Sequence, residues 1–273
     1  MQMRNFGTWA RKLSRSLVRR GLVPAVDSTG SYIVQHLPEW IGATSFDFAA
    51  LRRLFTERSP KYDRVDLVRL CMLVENVRQL ERDGVEGSVA ELGVYKGSTA
   101  RVLHALLPNR RLFLFDTFRG FDTRDLACES AQGGAAAEFR DVSYEGVREF
   151  LGASPMIEFC KGYFPDTAAA VPPSEQFALV HLDADLFKPT LDALQFFYPK
   201  LVPGGLMIVH DYSSTAWPGV TDAVNEFFRD KPEGPVLVPD KSGTAIIRKN
   251  KHPNTVPSPP PGKLAPSAPS RDG

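Results

Sequence analysis

Cysteine, net charge and long apolar runs are all scarce in this chain. Its three cysteines, Cys71, Cys128 and Cys160, lie far apart and lack the close spacing of a metal-binding cluster. Their odd number argues against a disulfide framework, so the expectation is a reducing, cytoplasmic protein. The 33 basic residues are balanced by 32 acidic ones, for a formal net charge of +1, and no global field draws the chain to nucleic acid. No apolar run approaches the roughly 20 residues a membrane span requires, and no secretory signal stands at the start. Acids are missing from the first 26 residues, which carry Arg4, Arg11, Lys12, Arg15, Arg19 and Arg20 with Phe6, Trp9, Leu13 and Leu17 at helical spacing between them. Such a helix suits peripheral contact with an anionic membrane. The plainer expectation is that its apolar stripe packs on the protein or on a second copy of it in a homo-oligomer.

What is present suffices for one sizeable core, since 43% of the 273 residues are hydrophobic. Residues 1–60 read as a helical extension, 61–250 as the folded domain, and 251–273, rich in proline and serine, as a disordered tail. Within the domain a helix is expected from about Asp63 to Arg82. Seven strand candidates follow: SVAEL (88–92), RLFLFD (111–116), MIEFCK (156–161), FALVHLD (177–183), GLMIVHD (205–211), PVLVP (235–239) and TAIIRK (244–249). The first five are short apolar runs separated by helix-length segments, the pattern of buried parallel strands with crossover helices. The last two lie close together, as an antiparallel pair at one edge would. The reading is an α/β, Rossmann-like doubly wound sheet, mostly parallel with an antiparallel edge strand, whose ligands bind beyond the carboxyl ends of the strands.

The chemically interesting residues cluster at those ends. VAELGVYKGST places Glu91 at the end of the first strand, Gly93 and Gly97 in the turn, and Ser98 and Thr99 at the start of a helix. A dinucleotide site would use G-x-G-x-x-G to approach a pyrophosphate. An acid here repels a pyrophosphate and suits an ammonium-bearing ligand; an ordinary turn with a solvated glutamate is the alternative. Asp116 ends the second strand, where an acid accepts hydrogen bonds from ribose hydroxyls, and Gly162 after the third permits close approach of a ligand. Tyr163 and Phe164 would border a base or pack in the core. Asp183 ends the fourth strand, and His210 with Asp211 ends the fifth, while Asp185 reads as a cap of the helix that begins around Pro189. Asp183, His210 and Asp211 would converge as ligands for magnesium or manganese.

These motifs together resemble the macrocin O-methyltransferase family of class I S-adenosylmethionine-dependent methyltransferases. They are ELGVYKGS (91–98), FDTFRGF (115–121), LDADLFKPT (182–190), LVPGGLMIVHDY (201–212) and GVTDAVNEFF (219–228), and the likeness covers roughly residues 60–250. The resemblance implies a seven-stranded sheet with S-adenosylmethionine on its first half and a divalent ion, usually magnesium, beside the methyl group. It implies that Glu91, Gly93 and Gly97 surround the methionine part, with Tyr95 and Ser98 in the same loop, and that Asp116, beside Thr117, holds the ribose. Gly162 and Asp183 complete the implied cofactor set, and Asp183 and Asp211 are implied metal ligands. The family usually carries an acid where this chain has His210. Related catechol-type enzymes place a lysine where this chain has Leu186, so Asp183, or His210 when it is not a ligand, is the expected proton acceptor.

The implied activity is O-methylation of a small-molecule or glycan hydroxyl, with a sugar or glycosylated metabolite as the expected acceptor. Loops 30–60, 117–150 and 212–219, including Trp217, are expected to shape the acceptor pocket, with 122–155 as a lid. Two alternatives stand beside this reading. One is an NAD-dependent sugar-modifying oxidoreductase or epimerase, disfavoured by Glu91; the other is a catalytically silent S-adenosylmethionine-binding scaffold.

Overall fold

The structure, a computed structural model, describes residues 22–26, 32–36, 47–58, 66–129 and 139–250. Strands β1 (Leu22–Val26) and β2 (Tyr32–His36) pair antiparallel, and helix α1 (Phe48–Thr56) follows, capped by the Asp47 carboxylate. The helical extension expected over residues 1–60 is thus corrected at β1 and β2. Val23, Val26, Tyr32, Ile33 and Val34 are residue types that favour a pleated strand. The basic stretch 1–20 and the tail 251–273 lie outside the described residues.

The remaining elements run α2 (Leu67–Arg82), β3 (Ser88–Leu92), α3 (Ser98–Leu106), β4 (Leu112–Asp116), α4 (Thr123–Leu126), α5 (Tyr144–Leu151), β5 (Ile157–Lys161), β6 (Phe177–Leu182), α6 (Phe187–Phe197), β7 (Leu201–Val209), α7 (Pro218–Phe228), β8 (Val236–Val238) and β9 (Thr244–Arg248). Seven strands form one sheet in the order β5-β4-β3-β6-β7-β9-β8. The first five are parallel to their neighbours, and β9 runs antiparallel to both β7 and β8. The chain starts at β3 in the middle, steps outward to β5, then returns to lay β6 on the other side of β3. That reversal opens a crevice at the carboxyl ends of β3 and β6.

Alternation along each strand feeds two cores. Val89, Leu112, Leu114, Leu179 and Ile208 pack on one face with Leu51 of α1, Leu73 and Val77 of α2, Val102 of α3, and Val147 and Phe150 of α5. Phe113, Phe115, Val180, Leu182, Met207 and Val209 pack on the other with Leu194, Phe197, Val220 and Val224 of α6 and α7. Cover on both faces is why these strands read as continuous apolar runs. The lid expected over 122–155 is corrected at α5, which buries Val147, Phe150 and Leu151 as scaffold; residues 130–138 lie outside the described set. Among the described residues no helix is long and apolar enough to cross a membrane.

Two buried polar residues break the apolar pattern. Glu91 on β3 and His181 on β6 are cross-strand neighbours, 1% and 0% exposed, on the face where Val89 and Leu179 precede them. Burying such a pair without complete hydrogen bonding is costly, and the expense falls at the mouth of the crevice.

Candidate active site

The loop after β3 is held by its glycines and by Asp116. Gly93 sits at φ +86°, and a Cβ there would stand 2.0 Å from the Asp183 carbonyl oxygen, so only glycine lets β3 and β6 approach this closely. Asp116, at the end of β4, accepts the N–H groups of Val94 and Tyr95 on Oδ2, each at 2.8 Å, and that of Phe118 on Oδ1 at 2.6 Å. Burial raises its pKa, and these three backbone donors oppose the rise. The carboxylate therefore braces the loop after β3. Gly97, also at φ +86°, precedes α3 without a side-chain cap, and a Cβ there would meet Val147 and Phe150; it lines neither of the two cavities described below. Thr117 Oγ1 donates to the Gly120 carbonyl and builds the next turn, and Gly162 N–H donates to the Asp116 carbonyl at 2.9 Å.

At the ends of β6 and β7 the charged groups converge. Asp183 accepts the Arg69 guanidinium on Oδ2 at 2.6 Å, and its Oδ1 lies 3.0 Å from His210 Nδ1. The same Nδ1 is 2.7 Å from Asp211 Oδ2. Burial opposes the charge on Asp183, yet His210 and Arg69 outweigh it and hold this carboxyl well below the usual range. Burial and Arg69 likewise oppose a charged His210, but Asp183 and Asp211 prevail and raise its pKa to about 9. Asp185 stands at φ +61° in the same cleft, and burial together with Asp183 and Asp211 pushes it well above the ordinary carboxyl range. It does not cap α6, which starts at Phe187 after Leu186 with no side-chain cap, so that expectation is corrected.

Behind this cluster lies a buried polar line. Arg69 Nη2 donates to His181 Nε2 at 3.1 Å, which leaves the ring proton on Nδ1, facing Glu91 Oε1 at 3.1 Å. Burial, then Arg69, depress His181 to about 3, so the ring is neutral. Burial, then the Asp183 carboxylate, push Glu91 well above its normal range, with Arg69 opposing.

Two cavities open on these residues. The larger, about 360 Å³, runs from Asp116, Gly162 and Tyr163 to Asp185, Asp211 and Trp217; the smaller, about 210 Å³, is lined by Glu91, Val94, Lys96, Ser98 and Thr99. Arg69, Gly93, Tyr95, Asp183, His210 and Lys241 border both. Aromatic rings roof the larger cavity: Phe139 packs edge-on against Tyr95 and Phe121, and Phe121 against Trp217. For a divalent ion, Asp183, His210 and Asp211 offer ligand atoms that all lie within 4.8 Å of one another. Two carboxylates and an imidazole are acceptable donors for manganese, and the carboxylates for magnesium. The donor set fits a metal once the His210 Nδ1 proton is displaced.

The family model for the macrocin O-methyltransferases matches residues 40–244, three quarters of the chain and every element from α1 to β8. The chain belongs to this family. Among curated relatives, an 8-demethyl-8-(2,3-dimethoxy-alpha-L-rhamnosyl)-tetracenomycin-C 4'-O-methyltransferase from Streptomyces olivaceus is 30% identical over 183 residues, covering 62% of this chain and 68% of that protein. A mycinamicin III 3''-O-methyltransferase from Micromonospora griseorubida is 29% identical, over 61% of this chain and 70% of that one. In fold, the O-methyltransferase NovP matches with a TM-score of 0.58 at 24% identity, over 67% of this chain and 80% of that chain.

This macrocin O-methyltransferase family member thus brings Glu91, Gly93, Tyr95, Ser98, Asp116, Thr117, Gly162, Asp183, His210 and Asp211 to one crevice. Arg69, His181 and Asp185 were not expected there. Arg69 carried a signal, a cation set into the apolar stripe of α2 beside Leu70 and Leu73.

Proposed function

We propose that the chain transfers a methyl group from S-adenosylmethionine to a hydroxyl of a sugar or glycosylated small molecule. The observation that supports this most is the pair of cavities meeting at Asp183. One has the size and polar lining for an amino-acid end; the other has room for a nucleoside and for an acceptor under aromatic rings. In-line displacement leaves the protein two tasks: to align the acceptor oxygen with the sulfonium methyl group, and to take the hydroxyl proton.

Asp116 and Gly93 fix the loop on which the cofactor lies, and Trp217, Phe121 and Phe139 give an apolar wall suited to sugar faces or an aglycone. Both oxygens of Asp183 are engaged, and His210 holds its proton between two carboxylates. In this arrangement neither is placed to accept another proton, which moves that role to Asp185, inside the cleft, acting as base in its ionised form. Asp183, His210 and Asp211 would hold a divalent ion, which, when bound, supplies Lewis-acid activation of the hydroxyl.

A thermal-shift comparison of S-adenosylhomocysteine with NAD tests the cofactor. A ligand at about 100 times its Kd adds about 2.7 kcal/mol, a rise in Tm of roughly 5–10 °C for a domain this size. The expected outcome is that rise with S-adenosylhomocysteine and none with NAD; the reverse contradicts the reading.

A further inference from the structure

Three residues around the smaller cavity each carry a buried polar atom that lacks a hydrogen-bond partner among the described residues: Arg69 Nε, Glu91 Oε2 and Ser98 Oγ. All three residues line it. Glu91 is 1% exposed, so its free oxygen cannot be satisfied by bulk water. Ser98 is the first residue of the nine-residue helix α3, whose Gly97 gives no side-chain cap at the positive end of the helix. Two donors and an acceptor on residues around one cavity complement a zwitterion. The donors suit its carboxylate and Glu91 suits its ammonium.

Arg69 has a second engagement that the loop residues lack. Its Nη2 already donates to Asp183 Oδ2 and His181 Nε2 at 2.6 and 3.1 Å, while its Nε has no partner among the described residues. Asp66 caps α2 through the Arg69 N–H at 3.1 Å and also accepts the Lys241 backbone N–H at 2.8 Å, which fixes the start of the helix that carries Arg69. A planar guanidinium is suited to serve two carboxylates at once, one on each edge.

We propose that Arg69 reads the carboxylate of the cofactor's amino-acid end together with Ser98, while its Nη2 holds Asp183. Arg69 is then the positioning residue that couples cofactor loading to the geometry of the reacting cluster. The inference rests on S-adenosylmethionine as cofactor and adds a residue that lies before the glycine loop.

The test measures S-adenosylhomocysteine and its decarboxylated analogue, which keeps the adenosine and the amine, by calorimetry on the full chain and on Arg69→Met. On the native chain, loss of the carboxylate is expected to weaken binding by roughly 10- to 100-fold, the worth of a hydrogen bond to a charged group. Arg69→Met should lose a similar factor for S-adenosylhomocysteine and bind the analogue as the native chain does, a selective loss that general destabilisation would not produce. Equal affinity of the native chain for the two ligands overturns the proposal even if the variant does not fold, and so does full discrimination retained in Arg69→Met. Failure of the native chain to bind S-adenosylhomocysteine at all overturns the cofactor reading beneath it.

Discussion

At the scale of single residues, the site packs four acids, Glu91, Asp183, Asp185 and Asp211, against three bases, Arg69, His181 and His210. Asp183 is the anionic anchor because Arg69 and His210 each take one of its oxygens. Asp185 is pressed the other way, by burial first and then by Asp183 and Asp211, with Arg69 opposing. Environments that push carboxyl pKa values apart divide the roles, one group to hold charge and another to move a proton. Asp185→Asn should therefore keep its shape, retain S-adenosylhomocysteine affinity within about twofold, and lower kcat by the roughly 10²- to 10⁴-fold that general-base catalysis contributes. Steady-state kinetics beside calorimetry reads both; an unchanged kcat would return the proton to another group.

At the scale of elements, the five parallel strands were legible because burial on both faces leaves apolar runs such as LFLFD and FALVHL, with their acids and glycines at the ends. The hairpin of β1 and β2 was not, since five-residue strands beside a basic helical pattern carry too little periodicity. Helix α5 was hidden in a long insert read as a lid, although Val147, Phe150 and Leu151 mark its buried side. The glycine loop, Asp116, Asp183 and Asp211 were legible as candidate site positions because they sit at strand ends. Arg69 and Asp185 were not: the ion pair of Arg69 joins positions 114 residues apart, and Asp185 mimics a helix cap. The close approach of β3 to β6 has its own test. Gly93→Ala adds a left-handed alanine and a clash with the backbone of Asp183, for an expected loss of about 3 kcal/mol or more, roughly 6–12 °C in Tm. Gly84→Ala, at φ +63° with nothing within 4 Å, carries the backbone strain alone and should lose about 1–2 kcal/mol. Equal losses by thermal unfolding would mean that the contact with Asp183 carries no weight.

At the scale of the whole molecule, a seven-stranded sheet between two apolar layers opens a crevice where the strand order reverses, the usual place for a ligand in such a sheet. A formal net charge of +1 gives no long-range attraction for a polyanion, and on the proposed function acceptor choice falls to the local wall of Phe121, Phe139 and Trp217. The central claim joins that wall to a methyl donor across Asp183 and Asp185. Its most direct test is transfer of a labelled methyl group from S-adenosylmethionine to a panel of deoxysugar glycosides and their aglycones, with magnesium or manganese supplied and the product resolved by mass and NMR. The account predicts label on a sugar hydroxyl, absent with Asp185→Asn; label on the aglycone or on nitrogen, or no transfer to any glycoside while S-adenosylhomocysteine binds, would contradict it.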